Sequence, residues 1–283
     1  MRFGEYDCLS VDLGGFYTDG GAMFGVVPKT LWEKKIPPDK ENRIPMRAVS
    51  LLIKGKGRNI LVDTGYGTKL SEKLKKNYGI TGFPDMDASL SKHGLTSNDI
   101  TDVFITHLHF DHTGGATCTR DNKVVPSFPN AVYYIHQDQW KAALQPNLRD
   151  RSSYIDDNYL PLENKGMLQL TDGSENLFPG IEIIVTHGHT PGQQHLLIKG
   201  DPVGVQASLF FCADLMPTAA HIPIAWNMAY DLDPLAIMQE KTKLLKRAIK
   251  ENWILFFEHD PYITAARITE KNKKIILSEY ITL

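Results

Sequence analysis

Short apolar runs bounded by turn residues predict β-strands along most of the chain. Residues 48–53 and 59–62 flank the turn Gly55-Lys56-Gly57, a pattern typical of a β-hairpin. Other runs rich in β-branched and aromatic residues have the length of buried strands; they are residues 103–105, 131–135, 181–185, 208–212 and 253–257. The C-terminal segment 263–283 alternates apolar and charged residues and predicts a closing strand.

Three segments have the periodicity of helices. Residues 234–251 form the clearest one, because Asp233 can cap its N-terminus and Pro234 suits its first turn. One apolar stripe is predicted along this helix; it consists of Leu235, Met238, Leu245 and Ala248 or Ile249. Residues 69–78 and 137–144 are the other predicted helices. Strands at both ends of the chain with helices between them predict an α/β domain with layered sheets.

The organisation of the chain predicts a single domain over residues 1–283. It contains no internal repeat, no low-complexity tract and no Ser/Gly-rich linker. Two segments stand out within the domain: an N-terminal arm of about residues 1–45, and a helical insertion or lid at about residues 145–163. The second segment is polar but carries aromatic and aliphatic residues, so we interpret it as folded rather than as a linker.

The charge balance excludes a general binder of nucleic acids or anionic membranes. Lys and Arg number 31 and Asp and Glu 33, for a formal net charge of −2. No apolar run approaches the roughly 18 residues of a membrane span, and residues 1–7 lack the apolar core of a signal peptide. The three cysteines are too scattered for a disulfide framework. We expect a cytoplasmic protein with a small-molecule substrate and neither nucleic acid nor membrane as partner; a periplasmic or secreted form stays open.

A histidine cluster directly after the strand at 103–105 carries the chemistry. His107, His109, Asp111 and His112 lie within six residues, and imidazole and carboxylate are ligands that divalent metals of borderline softness prefer. In an extended stretch, residues two apart point the same way, so His107 and His109 can bind one ion. Asp111 and His112 lie at the following turn and can face a second ion.

Three more polar residues follow predicted strands. His189 comes after the strand at 181–185, Asp214 after 208–211, and His259 after 253–257. Sites in α/β proteins collect at strand ends. A single histidine after a strand is more often structural, but these three residues and the cluster together make a set of the right size for two metal ions.

At these residues the chain resembles the metallo-β-lactamase fold hydrolases. The matching motifs are His107-x-His109-x-Asp111-His112, His189, Asp214 and His259, in the order of the family. Upstream, Leu61-Val62-Asp63-Thr64-Gly65 is similar to a strand and turn of the family. The resemblance covers about residues 50–259 and implies an α/β protein with a four-layer αββα sandwich in one domain.

The resemblance also implies a ligand set for two divalent ions. His107, His109 and His189 would hold the first ion, and the second would be held by Asp111, His112 and His259. Asp214 would bridge the two ions, and Asp63 would orient a ligand from the second layer of residues. Zinc is the default ion for an imidazole-rich set, with manganese, iron or cobalt as alternatives.

The activity implied is hydrolysis by a hydroxide that bridges the two ions. Asp111 is a candidate proton shuttle. Asp214 argues against a true β-lactamase, since those enzymes typically lack a bridging carboxylate, and it fits lactonases, thioesterases, phosphotriesterases and nucleases. Segments 128–131, 178–181 and 187–192 are similar to methyl parathion hydrolase and its relatives. We expect a small, partly hydrophobic ester, lactone or phosphotriester as substrate. A dimetal phosphodiesterase or nuclease and a glyoxalase II-like thioesterase are the alternatives.

Two apolar segments are expected near the mouth of the site. Residues 21–32 and 216–230 either line the pocket or belong to the core or to a dimer face. The apolar N-terminal segment 21–32 is the basis for the hypothesis of a homodimer. Lactonases of this family commonly carry a Tyr three residues after the bridging Asp, where this chain has Pro217. His221 and Tyr230 are the candidate catalytic residues that could replace it.

Overall fold

Two seven-stranded β-sheets form the framework of the protein. The computed structural model describes residues 1–80, 82, 85–173, 176–200 and 207–283. The first sheet has the order β1-β2-β3-β4-β5-β8-β9. Its strands are β1 (Arg2–Phe3), β2 (Tyr6–Asp19), β3 (Arg43–Gly55), β4 (Arg58–Val62), β5 (Asp102–Phe104), β8 (Val132–His136) and β9 (Leu168–Thr171). Pairing is antiparallel from β1 to β4 and parallel from β4 to β9.

The second sheet holds its strands in chain order. They are β10 (Asn176–Phe178), β11 (Ile181–Thr186), β12 (Gln193–Ile198), β13 (Leu209–Phe211), β14 (Ile254–Phe256), β15 (Ala265–Lys271) and β16 (Lys274–Ile281). β13 and β14 are parallel, and the other neighbours are antiparallel. A separate hairpin joins β6 (Thr117–Arg120) and β7 (Lys123–Pro126).

Helices cover the outer faces of both sheets. They are α1 (Gly20–Phe24), α2 (Lys29–Trp32), α3 (Glu72–Asn77), α4 (Met86–Ser91), α5 (Phe110–Thr113), α6 (Gln137–Leu144), α7 (Leu160–Asn164) and α8 (Pro234–Lys250). Short 3-10 turns occupy Ser97–Asp99, Gly114–Ala116, Arg151–Ser153, Asp156–Asn158, Ala213–Leu215 and Ala219–His221. Among the helices that the structure describes, none has the length and hydropathy that a membrane crossing requires.

The alternation of side chains along the strands builds the layers. On β3, Leu51 and Ile53 face the second sheet and pack with Phe211 and Phe256, whereas Leu52 packs on the helical side. The outer face of the second sheet packs against α8 through Leu245 and its neighbours. The layers are therefore helix, sheet, sheet and helix, and the predicted αββα sandwich is confirmed.

The predicted local elements agree closely with the structure. The hairpin is β3–β4, and the helix at 137–144 coincides with α6. Asp233 caps α8, since its Oδ1 accepts hydrogen bonds from the backbone of Leu235 and Ala236. The predicted stripe on α8 is partly wrong: Leu235 is 69% exposed. A lysine takes part in the buried face, which consists of Ile237, Lys241, Leu245 and Ala248.

Three larger expectations differ from the structure. Residues 6–19 are not a separate arm, because β2 pairs with β3 from Asp7 to Asp19 as an integral strand. The segment 263–283 contains two strands, β15 and β16, instead of one closing strand. The segment 145–163 holds two 3-10 turns and most of α7, so its helical character is limited to short pieces. That residues 1–283 form one domain stays a prediction.

Candidate metal centre

The seven predicted ligands come from the ends of strands in both sheets and from α5. His107 and His109 follow β5, and Asp111 and His112 lie in α5. The other three residues are set on loops after β11, β13 and β14; they are His189, Asp214 and His259. Three groups bring one ligand atom per residue within 4.8 Å of each other: His107 with His109 and His189, Asp111 with His112 and His259, and His107 with His112 and Asp214. The first two groups are those that the resemblance implies for the two ions.

The carboxylate of Asp214 lies between the two groups. Its Oδ2 is 3.8 Å from Nε2 of His107, 3.6 Å from Nε2 of His112 and 3.3 Å from Nε2 of His189. Its Oδ1 is 3.4 Å from Nε2 of His259. Burial raises the pKa of Asp214, but His112 and the other imidazoles outweigh it and hold that pKa well below its usual range. The position therefore suits an ionised carboxylate shared by two cations.

The tautomers of two histidines can be assigned from their outer partners. Nδ1 of His112 lies 3.0 Å from Oδ2 of Asp63, and Nδ1 of His259 lies 2.8 Å from the backbone oxygen of Arg47. Both oxygens can only accept, so each Nδ1 carries the proton when the ring is neutral. The two Nε2 atoms then direct lone pairs at each other across 3.2 Å. Such an arrangement is repulsive unless a proton or a metal ion lies between the rings, and the surrounding imidazole and carboxylate donors favour a metal ion.

Buried polar atoms without partners support the same conclusion. Among the described residues, Nε2 of His107 and Oδ1 of Asp214 are ligand atoms of the site that have no hydrogen-bond partner. A buried polar group without a partner is costly, so such atoms indicate a missing ligand. Burial and neighbouring imidazoles hold the pKa values of His107 and His109 well below their usual range. Neutral imidazole is the form that binds metals, and the residues present therefore fit a pair of divalent ions.

Asp63 connects the ligands to the first sheet. Its Oδ1 accepts from the backbone N–H of Thr106 (2.7 Å), and its Oδ2 accepts from the hydroxyl of Thr106 (2.6 Å) and from His112. The hydroxyl oxygen of Thr106 in turn lies 3.0 Å from Nδ1 of His107. Since that hydroxyl donates to Asp63, it accepts from His107, whose Nε2 is left to face the centre. Asp63 thus contacts His112 directly and His107 through Thr106, and its role in orienting these ligands stays a prediction.

Two buried acids at the site were missed in the sequence. Oδ1 of Asp231 lies 2.9 Å from Nδ1 of His189, and its Oδ2 accepts from the backbone of Met228. Oε2 of Glu258 lies 3.1 Å from Nδ1 of His112, and burial raises the pKa of this carboxyl well above its usual range. Glu258 precedes His259 directly, which was an available signal. Asp231 lies between Tyr230 and the predicted helix at 234–251, where acidic residues commonly serve as helix caps. No local pattern therefore indicated a role at the metal centre.

A cavity of about 350 Å³ opens beside the centre. Polar side chains of the site lie at its base, among them Asp111, His109, His189, Asp214 and His259. Its apolar wall consists of Phe16, Met23, Met46, Tyr78, Phe110 and Met228. Tyr230 also lines the cavity, with its hydroxyl 3.2 Å from that of Thr18. The two apolar segments are thus divided: some residues line the cavity, whereas Phe24 and Trp32 pack in the core.

The structure contradicts the candidate role of His221. Its Nε2 lies 2.8 Å from the backbone oxygen of Met23, its Nδ1 lies 2.8 Å from the hydroxyl of Thr218, and its ring stacks on Phe24. The residue is 1% exposed and does not line the cavity. Both ring nitrogens are therefore used in packing the loop after β13. His187 is also structural, because its Nδ1 accepts from the backbone of Gly192.

Stacked sheets with helices on both faces, and imidazole and carboxylate groups gathered at the strand ends, define a metal-dependent hydrolase of the αββα class. A sequence model of the metallo-beta-lactamase superfamily matches residues 43–259. The chain belongs to this superfamily, and the predicted family and fold are confirmed. The prediction of a metal-dependent hydrolase is also confirmed, and the donor set supports two divalent ions as its cofactors.

Solved structures and curated relatives agree with this assignment. The structure of a probable metal-dependent hydrolase from Staphylococcus aureus is 31% identical, with a TM-score of 0.89, and covers 100% of both chains. The N-acyl homoserine lactonase AiiA of Bacillus thuringiensis subsp. kurstaki is 27% identical over 215 residues, which are 71% of this chain and 76% of AiiA. AidC, a dizinc quorum-quenching lactonase solved with a product, N-hexnoyl-L-homoserine, is 22% identical with a TM-score of 0.80 and covers 100% of this chain and 97% of its own.

Proposed function

We propose that this protein is a dizinc hydrolase that opens the ring of small lactones carrying an apolar acyl substituent, with N-acyl homoserine lactones as the substrate class. The observation that carries the proposal is Asp214, whose two oxygens lie within 3.8 Å of imidazoles from both ligand groups at the base of a largely apolar cavity. The names of the curated relatives support the choice of lactones, and AidC supports the choice of zinc.

Each of the two ligand groups would hold one zinc ion. His107, His109 and His189 would hold one ion, Asp111, His112 and His259 would hold the other, and Asp214 would contact both. Two bound zinc ions would acidify a water molecule to a pKa of roughly 7 and stabilise negative charge on the lactone carbonyl.

The remaining steps belong to residues of this chain. Asp111 lines the cavity; it would take the proton that the attacking water loses and pass it to the ring oxygen as the ester C–O bond breaks. The hydroxyl of Tyr230 faces the same cavity and is a candidate donor to the carbonyl oxygen, in place of the tyrosine that is absent at Pro217. The apolar wall around Phe16, Tyr78 and Phe110 would exclude water from the acyl chain.

The lining of the cavity favours a lactone over a nucleic acid. Arg149 is the one Lys or Arg side chain among the described lining residues. Nucleases and phosphodiesterases of nucleic acids need several cationic contacts to the phosphate backbone. One arginine beside an apolar wall suits a small neutral ester better than a polynucleotide.

A substrate panel tests the proposed activity. The protein, purified without chelator and supplied with Zn²⁺, would be assayed on N-hexanoyl homoserine lactone, p-nitrophenyl acetate, paraoxon and bis(p-nitrophenyl) phosphate. We expect kcat/KM to be highest for the lactone, by roughly tenfold to a hundredfold, because the apolar wall of the cavity can bury the acyl chain. Dialysis against a chelator should abolish turnover and Zn²⁺ should restore it. A phosphate ester as the best substrate would contradict the lactonase proposal.

A further inference from the structure

Asp150 is an acid on the cavity wall that belongs to none of the ligand groups. Asp150 lies in the segment 145–163, is 6% exposed and lines the cavity beside the metal centre. No hydrogen-bond donor among the described residues contacts its Oδ1. A buried carboxylate oxygen without a hydrogen-bond donor lowers the stability of the fold. The position therefore indicates a donor that arrives with a ligand.

The backbone around Asp150 is fixed rather than loose. Oδ1 of Asn147 accepts from the backbone N–H of Arg149 at 2.8 Å and of Asp150 at 3.3 Å. The guanidinium of Arg149 donates to the backbone oxygen of Ala229, which lies on another stretch of the cavity lining. These contacts hold the carboxylate in place before any ligand binds, as a preorganised acceptor requires.

Side-chain hydrogen bonds from the neighbouring Asn147 and Tyr154 oppose the rise that burial gives the pKa of Asp150, but neither reaches its Oδ1. The hydroxyl of Tyr154 lies 2.9 Å from that of Thr190 and 3.2 Å from Oε1 of Gln139, and its ring packs against His109. Asp150 is also close enough to His189 for the charge of that imidazole to lower its pKa, while burial raises the pKa more strongly. The acid thus lies near the first predicted ligand group, on the wall of the cavity.

We propose that Asp150 is a specificity-determining residue, which accepts a hydrogen bond from an N–H group on the carbon next to the lactone carbonyl. This inference rests on the proposed function. In an α-amido lactone the N–H is attached one carbon from the reacting carbonyl, so a substrate placed at the metal centre presents its donor to the nearby wall. Lactones without an N–H leave Oδ1 of Asp150 without a donor and are selected against, because a buried acceptor without a donor penalises binding.

A pair of substrates that differ in one group tests the inference. N-hexanoyl homoserine lactone would be compared with its carba analogue, in which CH₂ replaces the N–H and the ring and chain are kept. Ring opening of both would be measured with the zinc-loaded wild type, Asp150→Ala and Asp150→Asn. We expect the wild type to prefer the amide by roughly tenfold to a hundredfold in kcat/KM, the strength of a hydrogen bond to a charged group.

The variants separate specificity from structure. In Asp150→Ala the preference should fall to near one, through loss of the amide rate and with the carba rate kept; Asp150→Asn, a neutral acceptor of the same shape, should lie between. Asp157→Ala is the matched control, an exposed acid of the same segment, and should keep the wild-type preference.

The outcomes distinguish failure of the inference about Asp150 from failure of the proposed lactonase activity. If the preference is the same in all four proteins, or if both substrates slow equally in the Asp150 variants, the inference is overturned and the lactonase proposal stands. If the wild type opens neither lactone, the proposed function and the inference both fall.

Discussion

Replacing Asp214 with alanine is expected to lower kcat/KM for a lactone by about a thousandfold or more and to leave less than the full complement of metal. The carboxylate lies within 4 Å of four imidazoles, two of which are also in contact with each other. Its removal takes away the one anion that both ligand groups share. Loss of several kcal/mol of charge stabilisation corresponds to a rate loss of about this size.

The control for Asp214→Ala must distinguish a lost ligand from lost folding. Thermal unfolding of the chelated protein would show whether the variant still folds, and Asp157→Ala would show the effect of removing an exposed acid. Metal content would be measured on the same samples by elemental analysis. A folded Asp214→Ala variant with wild-type turnover and wild-type metal content would contradict the bridging role.

Asp63→Asn is expected to weaken metal binding by roughly tenfold to a hundredfold, the usual cost of losing a residue that orients a ligand. Asp63 has a φ of 57°, a conformation that Asn also tolerates, so the backbone is kept. The carboxylate of Asp63 accepts hydrogen bonds from the hydroxyl of Thr106, from its backbone N–H and from Nδ1 of His112. In Asp63→Asn the amide –NH₂ must face at least one of these donors and cannot accept from it. His112 then loses its fixed orientation.

The neighbouring acid Glu258 can limit the loss of metal affinity in Asp63→Asn. Its Oε2 lies 3.1 Å from the same Nδ1 of His112 and can take over as acceptor in Asp63→Asn. The double variant Asp63→Asn/Glu258→Gln should therefore lose more affinity than the single variants combined. Competition with a chromogenic chelator would measure zinc affinity directly. Unchanged affinity in both single variants and in the double variant would contradict the orienting role.

The predicted ligands were accessible from the sequence because their signals are local. All seven residues lie in the first loop, turn or short helix after a strand, and strands were recognised by their apolar runs. Stacking the two sheets then brings the strand ends together. Asp63 was found for the same reason, since it follows β4 within a short motif.

Long-range contacts explain what the sequence did not show. Asp231 meets His189 across 42 positions of the chain, and Asp150 reaches the cavity because of how the segment 145–163 folds back. His221 was proposed from its residue type and proximity, but Met23 and Thr218 occupy both its nitrogens. No pattern in a single sequence reports such pairings.

β2 was missed for a different physical reason. The strand pairs with β3 on both sides of a register shift between Asp12 and Gly15, where Gly14 has a φ of 98°. The bulge changes which residues face inward, so the period of two is interrupted and the segment no longer has the alternation of one strand. On α8, buried Lys241 interrupts the apolar face in the same way, because its ammonium donates to the backbone oxygens of Pro223 and Trp226.

Metal stoichiometry of the wild-type protein tests the central claim most directly. Elemental analysis after purification without chelator, and again after reconstitution with Zn²⁺ and removal of excess ions, would give metal per chain. We expect about two equivalents of divalent metal per chain, the number that two ligand groups with a shared carboxylate can hold. No metal as purified and no uptake on reconstitution would contradict it.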